Sequence, residues 1–400
     1  MIGTRVTLAV AAGSVALTMV PAAAPAQRPD GRGEVVPVRN EPTPVRYTRA
    51  TPRRLNAPRG FRIRPFATRL GNPRMMAVGP DGQTIYVTRR LTGDVMALND
   101  RNSDGVAEQK RVVVQGLRLV HGIAIRGTRM YLATDNMLYD AQVAADGSIS
   151  TPRLLQRLPD AGQHPNKTLA FGPDGALYIT VGSTCNNCPE ANEENATILR
   201  ADGDGANRTI VASGLRNTIG FGWQPGTNRL YGMDHGSDLF GDNQPPEEFN
   251  RIVEGGNYGW PHCFGNKRLT QLQPVDPPRG VSQRSYCRRT RSPELEFTAH
   301  SAPLGFTFYT GTQFPPAYRG DAFVAFRGSW NRRRASGYKV VRIRFSRRGA
   351  QRYENFVTGW LSRRGTREYG RLAGLIQAPN GSLLLTDDEN GVIYRISYGG

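Results

Sequence analysis

A strand–turn–strand unit recurs six times in the chain, and this repeat constrains the fold more than any other feature of the sequence. The copies begin at Met76, His121, Leu169, Gly220, Leu304 and Gly374. The copy at Leu169 is the clearest, because a Pro-Asp-Gly turn joins two apolar segments within Leu-Ala-Phe-Gly-Pro-Asp-Gly-Ala-Leu-Tyr-Ile-Thr. Such a turn needs a positive φ at its glycine and is typical of a β-hairpin.

The spacing of the repeats indicates a β-propeller. The first four copies are 45 to 51 residues apart, which is the length range of a propeller blade. A parallel β-helix fits less well, because each unit is antiparallel and about twice too long. We therefore predict an all-β fold, a six-bladed propeller in a single domain, with a disulfide-bearing insertion between blades.

The N-terminal residues are typical of a secretory signal peptide. Arg5 precedes an apolar run from Val6 to Val20, and Ala24-Pro25-Ala26 supplies a cleavage pattern. The alternative is an uncleaved anchor, although the run is short for a membrane span. We predict a signal peptide over residues 1–26, a Pro- and Arg-rich extended arm over 27–59 and the propeller over 60–400. The protein is then secreted or periplasmic.

The net charge of +19 is concentrated in two segments. Residues 28–69 contain eleven arginines against three acidic residues, and residues 327–371 contain fourteen basic residues against two acidic ones. Because we expect the chain to be exported, we exclude nucleic acid as a partner. The basic segments are instead interpreted as solvated or in contact with an anionic envelope surface.

Four cysteines in an exported chain are candidates for disulfides. Cys185 and Cys188 enclose a C-N-N-C loop, while Cys263 and Cys287 flank a Pro- and Arg-rich insertion. A CxxC pair can also be redox-active or form half of a zinc site. Because the chain has no second CxxC and no thioredoxin-like βαβ pattern, we predict the local pairs 185–188 and 263–287.

Three loops carry residues that suit chemistry at the mouth of a propeller channel. His164, before the third repeat, is a possible general base or a loop histidine bonded to backbone. Arg216 and Asn217 precede the fourth repeat, where an arginine can hold an anion or form a surface ion pair. The Gly-, Asp- and Asn-rich loop after Asp234 can offer carbonyl oxygens to a hard cation or be an ordinary loop. Asp100–Asp104 resembles the start of a calcium loop but is interpreted as a hairpin tip.

Six further segments occur in a fixed order between about Gly60 and Arg395. They are Gly214-Leu-Arg-Asn, Pro245-Pro-Glu-Glu-Phe-Asn, Gly255-Gly-Asn-Tyr-Gly-Trp-Pro, His300-Ser-Ala-Pro-Leu-Gly, Tyr318-Arg-Gly-Asp-Ala-Phe and Gly328-Ser-Trp-Asn-Arg. Any one motif is weakly specific, but the ordered set resembles the soluble pyrroloquinoline quinone (PQQ) sugar dehydrogenase family, and its sorbosone dehydrogenase branch in particular.

The resemblance implies that PQQ lies across the top of the channel with a bound Ca²⁺. It implies that His164 takes the substrate hydroxyl proton while hydride passes from the sugar C1 to the quinone C5, which Arg216 polarises. Asn217 and Arg371 correspond to cofactor contacts, and the carbonyls of Gly236 and Ser237 correspond to the Ca²⁺-binding pair. PQQ is a tricarboxylate, so a cluster of cations suits its binding.

The chain departs from the family pattern at three positions. Ser237 stands where proline is usual, and Ser183 stands where an acidic residue often follows the third-blade glycine. Asn331 replaces a lysine, so we expect Arg327 or Arg332 to supply that charge beside Asn331 in the cofactor site.

The sequence therefore predicts a secreted PQQ- and Ca²⁺-dependent dehydrogenase. Its substrate is an aldose or a sorbosone-like sugar, and its electrons pass to a quinone or a cytochrome. Two alternatives stay open. One is a non-catalytic propeller that binds anionic envelope polymers, which the change to Asn331 favours. The other is a Ca²⁺-dependent lactonase, which needs carboxylates and asparagines around the channel.

Overall fold

The computed structural model describes residues 39–160 and 162–399. The predicted signal peptide and the first part of the predicted arm lie outside the described residues. Within those ranges the helices are one α-helix, Gln283–Arg288, and two short 3₁₀ turns, Thr51–Arg54 and Pro316–Tyr318. No helix in the described part of the chain has the length and apolarity needed to cross a membrane.

Six sheets of four antiparallel strands, numbered here as blades 1 to 6 in chain order, form a propeller, and Gly256–Asn257 adds a fifth strand to blade 3 in parallel. The strands of blade 1 are Pro73–Val78, Ile85–Arg89, Asp94–Asn99 and Gln109–Val114. The strands of blade 2 are Gly122–Arg126, Arg129–Ala133, Met137–Gln142 and Arg153–Arg157. The four antiparallel strands of blade 3 are Leu169–Phe171, Leu177–Val181, Thr197–Ala201 and Thr209–Ser213. The strands of blade 4 are Thr218–Trp223, Leu230–Asp234, Glu247–Ile252 and Leu295–Phe297. The strands of blade 5 are Pro303–Phe308, Ala322–Phe326, Lys339–Ser346 and Gly349–Val357. The strands of blade 6 are Leu372–Gln377, Leu383–Asp387, Val392–Tyr398 and Phe61–Ala67. The predicted six-bladed propeller is confirmed.

The hydrophobic core is divided among the spaces between the blades. Each pair of neighbouring blades encloses one buried cluster of aliphatic and aromatic side chains, including the pair formed by blades 6 and 1. Because side chains alternate between the two faces of a strand, both faces of each blade pack against a neighbouring sheet. The ring therefore contains no sheet that stands alone.

Both ends of the propeller sequence contribute to blade 6. Phe61–Ala67 pairs antiparallel with Val392–Tyr398 and becomes the outermost strand of that blade. Hydrogen bonds between the first and last strands thus close the ring, which removes two open edges. This closure was not predicted, because Phe61–Ala67 precedes the first copy of the repeat and lacks its turn.

Glycines on the first strands allow neighbouring blades to approach closely. A Cβ atom at Gly220, Gly305 or Gly374 would lie 2.2–2.3 Å from a carbonyl oxygen in the first strand of the next blade. A Cβ at Gly122 would lie equally close to the carbonyl of Lys167, just before blade 3. Only glycine fits at these positions, so the glycine that recurs in the repeat reflects the packing of the ring.

From Arg39 onwards the predicted arm lies against the propeller. Thr43–Pro44 pairs in parallel with Arg367–Glu368, and Asn56 forms a bridge with Thr358. The guanidinium of Arg54 lies 3.9 Å from the ring centroid of Tyr369. This part of the basic N-terminal segment is therefore held on the segment that joins blades 5 and 6.

Both predicted disulfides, Cys185–Cys188 and Cys263–Cys287, are present. The insertion that carries Cys263–Cys287 differs from the prediction in its position. It lies inside blade 4, between Glu247–Ile252 and Leu295–Phe297, rather than between two blades. The reason is that Leu295–Phe297 pairs back onto Glu247–Phe249 after the insertion, and this pairing of distant residues leaves no signal in the repeat.

Candidate active site

The predicted site residues all lie in loops at one end of the channel. In an antiparallel blade, the loop after the second strand and the loop that leads to the next blade share the same end. His164, Arg216, Asn217 and Arg371 belong to loops between blades. The other predicted residues follow second strands: Gly236 and Ser237 in blade 4, and Arg327, Asn331 and Arg332 in blade 5.

His164 is oriented by Ser183, which follows the second strand of blade 3. The imidazole Nδ1 lies 3.1 Å from the Ser183 carbonyl oxygen and 2.9 Å from its Oγ. The Ser183 hydroxyl donates to the Cys185 carbonyl at 2.8 Å, so both oxygens accept from Nδ1. The proton therefore resides on Nδ1, and Nε2 carries a lone pair.

The imidazole of His164 is neutral. Burial, together with the positive charge of Arg216, lowers its pKa to about 2. A neutral histidine with a free Nε2 has the protonation state that a general base requires. The local arrangement therefore suits proton abstraction from a hydroxyl group.

Arg216 is fully buried and its guanidinium makes four hydrogen bonds. Nε donates to the Asn186 carbonyl at 3.0 Å, and Nη1 donates to the Gly236 carbonyl at 2.9 Å. Nη2 donates to Asn186 Oδ1 and to Asp238 Oδ2, both at 2.8 Å. Because a guanidinium has five N–H groups, one N–H on Nη1 is left over for a further acceptor.

Asp234 holds the backbone that carries Arg216 and Asn217. Its carboxylate accepts from both backbone N–H groups, at 3.0 and 2.9 Å, and from the Thr218 hydroxyl. Burial raises the pKa of Asp234 to about 6. The Asn217 side chain donates to His235 Nδ1 at 3.2 Å, so its amide oxygen points elsewhere.

The loop over Gly236 and Ser237 is fixed by a buried glutamate. Glu247 accepts from the backbone N–H of Gly236 at 3.0 Å and from that of Ala302 at 2.9 Å, and burial raises its pKa to about 8. The Pro-Pro-Glu-Glu motif thus acts through backbone contacts. Ser237 is buried and its hydroxyl donates to Asn187 Oδ1 at 3.2 Å.

Asn331 connects blade 5 to the same loop. Its amide nitrogen donates to Asp238 Oδ1 at 3.0 Å and lies 3.3 Å from His300 Nδ1. The Asp238 carboxylate is thereby shared between Arg216 and Asn331. Position 331, where a lysine is expected, therefore holds a neutral asparagine that is hydrogen-bonded to the Asp238 carboxylate.

A second ionic cluster lies on the side of blades 5, 6 and 1. Asp388 binds Arg74 and Arg327 at the same time, and these two ion pairs connect three blades. Arg74 and Asp388 are buried. The guanidinium of Arg371 donates to the Gly328 carbonyl at 2.9 Å and lies 5.8 Å from the ring centroid of Tyr338.

Arg332 is directed towards a different group of residues. Its guanidinium binds the Asp242 carbonyl at 2.6 Å, Asn243 Oδ1 at 3.1 Å and the Arg334 carbonyl at 3.2 Å. These acceptors lie on the outer part of the blade 4 loop and within its own loop. Arg327 is thus joined to the Asp388 cluster, and Arg332 is joined to residues 242–243.

The acidic segment near Asp100 forms the loop between the third and outermost strands of blade 1. Carboxylate oxygens of Asp100, Asp104 and Glu108 lie within 4.8 Å of one another. Gly105 N–H and Val106 N–H bind Asp100 and Asp104 within this loop. The segment is a hairpin tip, as predicted, and lies at the end of the blade opposite to the site.

The family model described as TrAA12-like matches residues 55–399. The chain belongs to this family. The resemblance to the PQQ sugar dehydrogenase family is thereby confirmed. The chain is 24% identical over 319 residues to a "Pyrroloquinoline quinone-dependent sugar dehydrogenase" of Hypocrea jecorina, which covers 68% of this chain and 72% of that protein.

Two solved structures share the fold of this TrAA12-like chain. The "Holo form of Pyranose Dehydrogenase PQQ domain" from Coprinopsis cinerea has a TM-score of 0.72 at 20% identity and covers 88% of this chain and 98% of its own. The "Calcium structure" of the Trichoderma reesei AA12 enzyme has a TM-score of 0.75 at 21% identity and covers 89% and 99%. The matches cover between 42% and 72% of the curated relatives' own length, so the chain spans about half the length of most of them.

Several residues of the site in this TrAA12-like chain were not predicted from the sequence. Asn186 lies inside the Cys185–Cys188 loop, which the sequence presents only as a disulfide. Arg74 and Asp388 are 314 residues apart, so their ion pair leaves no local pattern. Lys167 follows His164 by three positions and is fully buried, and burial lowers its pKa to about 8. The charge of Lys167, so close to His164 in the sequence, was the one signal that could have identified this lysine.

Proposed function

We propose that this protein is an oxidoreductase that uses PQQ and Ca²⁺ to oxidise a sugar. The observation that carries the proposal is the neutral imidazole of His164 beside the buried Arg216 at the mouth of a propeller channel, with its Nε2 bonded to none of the described residues. Membership of the TrAA12-like family supports it, as do the names of the similar proteins.

The charges around the channel suit a tricarboxylate. Arg216 is paired with Asp238, and Arg74 and Arg327 share Asp388. Four further cations at this end, Arg90, Lys167, Arg332 and Arg371, form none of the ion pairs found in the described part of the chain. An excess of cations over carboxylates at this end favours an anionic ligand such as a tricarboxylate.

Buried polar atoms without partners also favour a polar ligand. Among residues 39–160 and 162–399, Asn217 Oδ1, Asn331 Oδ1 and Arg371 Nε are buried and make no hydrogen bond. Such groups are costly when they stay unsatisfied. All three belong to residues for which the sequence predicts a cofactor contact, so a bound cofactor with donors and acceptors accounts for them.

The loop over Gly236 and Ser237 suits a hard cation. The Gly236 carbonyl accepts one bond from Arg216 and keeps a second lone pair, and the Ser237 carbonyl accepts no bond from the described residues. Carbonyl oxygens are ligands that Ca²⁺ prefers. These two oxygens would hold Ca²⁺, whereas Arg216, Asn217, Asn331, Arg327 and Arg371 would hold PQQ.

In this mechanism the protein supplies the proton acceptor and the binding charges. Bound PQQ supplies a two-electron acceptor for the hydride of the sugar carbon that is oxidised. His164 Nε2 accepts the proton of the hydroxyl group on that carbon, and Ser183 holds the imidazole in the required tautomer. The free N–H of Arg216 is available to an oxygen that gains negative charge.

We also propose the finer features that the sequence predicts. The substrate is an aldose or a sorbosone-like sugar, and the electron acceptor is a quinone or a cytochrome. Residues 1–26 are a signal peptide, which makes the protein secreted or periplasmic, and residues 27–59 form an arm before a propeller at 60–400. Apart from the arginines proposed to hold the cofactor, the basic residues of segments 28–69 and 327–371 are proposed to be solvated or to contact an anionic envelope surface.

Reconstitution tests the proposal directly. The purified protein is incubated with PQQ and Ca²⁺, and dye reduction is measured with a panel of aldoses, sorbosone and simple alcohols. We expect sugar-dependent turnover that needs PQQ and falls when the metal is chelated. A protein that binds no PQQ, judged by its absorption spectrum, and reduces no dye with any sugar would overturn the proposal. His164→Ala serves as a control for dye reduction by free PQQ.

A further inference from the structure

We propose that the Cys185–Cys188 loop is a positioning element of the active site, in which Asn186 orients the guanidinium of Arg216. The loop follows the second strand of blade 3, and Arg216 lies in the loop that leads to blade 4. The catalytic consequence of this inference rests on the proposed function, whereas the structural contact does not.

Asn186 holds one edge of the guanidinium through two separate atoms. Its backbone carbonyl accepts from Nε at 3.0 Å, and its side-chain oxygen accepts from Nη2 at 2.8 Å. Nε and Nη2 lie on the same edge of the planar group, so two acceptors there fix the plane. The remaining bonds of Arg216, to Gly236 and Asp238, leave one N–H of Nη1 for a ligand.

The same amide also holds the loop that is proposed to bind the metal. Asn186 Oδ1 accepts from the Asp238 N–H at 2.7 Å, and Asn186 Nδ2 donates to the Asp238 carbonyl at 3.0 Å. One side chain thus joins Arg216 to the backbone that follows Gly236 and Ser237. A movement of this amide would change the geometry of both groups together.

The disulfide restricts that movement. Only Asn186 and Asn187 lie between the two cysteines, and both amides bind residues outside the loop. Asn187 accepts from Ser237 and donates to the Gln273 carbonyl at 2.8 Å. At the start of the loop the Cys185 carbonyl accepts from Ser183, which orients His164. The loop therefore contacts both the proposed base and the proposed electrophilic arginine.

A matched pair of substitutions separates the contact from the shape of the side chain. Asn186→Asp keeps an acceptor for Arg216 Nη2, whereas Asn186→Leu has nearly the same shape and no acceptor. Asn99→Ala is the control, because Asn99 binds Thr84 at the opposite end of blade 1. Cys185→Ser/Cys188→Ser tests the disulfide, and Cys263→Ser/Cys287→Ser tests the loss of a disulfide elsewhere.

The first readout needs no cofactor. In protein labelled with ¹⁵N-arginine, the Arg216 Nη2–H signal is identified by its absence in Arg216→Lys, and its hydrogen exchange is measured, because Nη2 donates to the side-chain oxygen that Asn186→Leu removes. We expect exchange about fivefold faster or more in Asn186→Leu and in Cys185→Ser/Cys188→Ser, the factor for one lost hydrogen bond. Asn186→Asp, Asn99→Ala and Cys263→Ser/Cys287→Ser are expected to keep the slow exchange. Unchanged exchange in Asn186→Leu would overturn the inference.

The second readout is turnover of protein loaded with PQQ and Ca²⁺. An interaction made mainly in the transition state lowers kcat and leaves KM nearly unchanged. We expect kcat to fall by about 10- to 100-fold in Asn186→Leu and to recover in Asn186→Asp. Equal kcat in Asn186→Leu and wild type would overturn the catalytic part. A wild type without turnover overturns the proposed function instead, and the exchange measurement then decides the contact alone.

Discussion

The Nδ1 atom of His164 lies 3.1 Å from the carbonyl oxygen of Ser183, and this contact determines which imidazole nitrogen is free. A carbonyl oxygen only accepts, so Nδ1 must donate and Nε2 must keep its lone pair. The serine occupies a position where an acidic residue is common in the family that the sequence resembles. A backbone carbonyl therefore orients the proposed base in this chain, with no carboxylate at position 183.

Replacing His164 should remove turnover without removing the cofactor. His164→Ala is expected to lower kcat by about 10²- to 10⁴-fold, the usual contribution of a general base. Its PQQ affinity, measured by absorption titration, should stay close to that of the wild type. His262→Ala is the matched control, because this imidazole also binds a backbone carbonyl, that of Val275, but lies in the insertion of blade 4. Wild-type kcat in His164→Ala would remove this residue from the mechanism.

kcat/KM should not fall near neutral pH through protonation of His164. Burial and Arg216 lower the pKa of His164 to about 2, so the imidazole stays neutral from about pH 4 upwards. An ordinary histidine base would instead lose activity as the pH falls through 6.5. We expect kcat/KM between about pH 5 and 7, measured with a buffer series of constant ionic strength, to show no fall from protonation of His164, and any fall near pH 6, where the pKa of Asp234 lies, to be lost in Asp234→Asn. A tenfold fall per pH unit below 6.5 that persists in Asp234→Asn would contradict the burial of the proposed base.

Arg371 should contribute to PQQ affinity through its position as well as its charge. Its Nε has no partner among the described residues, and it lies in the loop that leads to blade 6. Arg371→Met is expected to weaken PQQ binding by about 10- to 100-fold, as for the loss of a charge-assisted hydrogen bond. Arg348→Met removes the same charge from an exposed hairpin and should bind PQQ normally. Equal affinities in the two variants would mean that only net charge matters.

The stability of the fold should decrease as the pH rises towards neutrality because of Asp387. Burial raises the pKa of this carboxyl from 3.8 to about 7, so the folded state binds a proton that the unfolded state has released between about pH 4 and 7. This contribution to stability is complete below pH 3.8 and disappears as the pH rises through 7.

Asp387→Asn tests this contribution, because its amide oxygen can still accept from the Arg371 and Asn390 N–H groups. The free energy of unfolding, measured by urea titration at pH 4.5, 6 and 8, should decline less with pH in the variant. An identical decline in both proteins would assign the effect to other groups.

Adding a methyl group to the first strand of a blade, where it touches the first strand of the next blade, should destabilise the propeller. Gly305→Ala would place Cβ 2.3 Å from the Ala373 carbonyl oxygen and 2.5 Å from the Leu375 nitrogen, and these backbone atoms cannot move aside as a flexible side chain can. We expect a loss of about 1–3 kcal/mol in the free energy of unfolding, the usual cost of overpacking. Gly203→Ala is the control, because nothing lies within 4 Å of its Cβ position. A melting temperature of Gly305→Ala equal to that of the control would show that the ring can expand.

The sequence alone determined the number of blades and the end of the channel that carries the candidate site. Both follow from the repeat, because a turn of fixed type at a fixed spacing produces the same local hairpin six times. His164 and Arg216 were predicted for the same reason, since each precedes a repeat and must lie in a loop between blades. The disulfide pairs were also predicted, because each joins cysteines that are close in the chain.

Only the tertiary structure decided which groups meet at the channel. Asn186 and Arg216 are 30 residues apart and lie on two blades, and Arg74 and Asp388 are 314 residues apart at the two ends of the propeller. No local pattern encodes such pairs, because they form only when the ring closes. The free nitrogen of His164 likewise depends on Ser183 in another loop. Local turn chemistry fixed the repeating hairpins, whereas packing of distant loops in a buried, low-dielectric channel fixed the protonation and pairing of the residues proposed to act there.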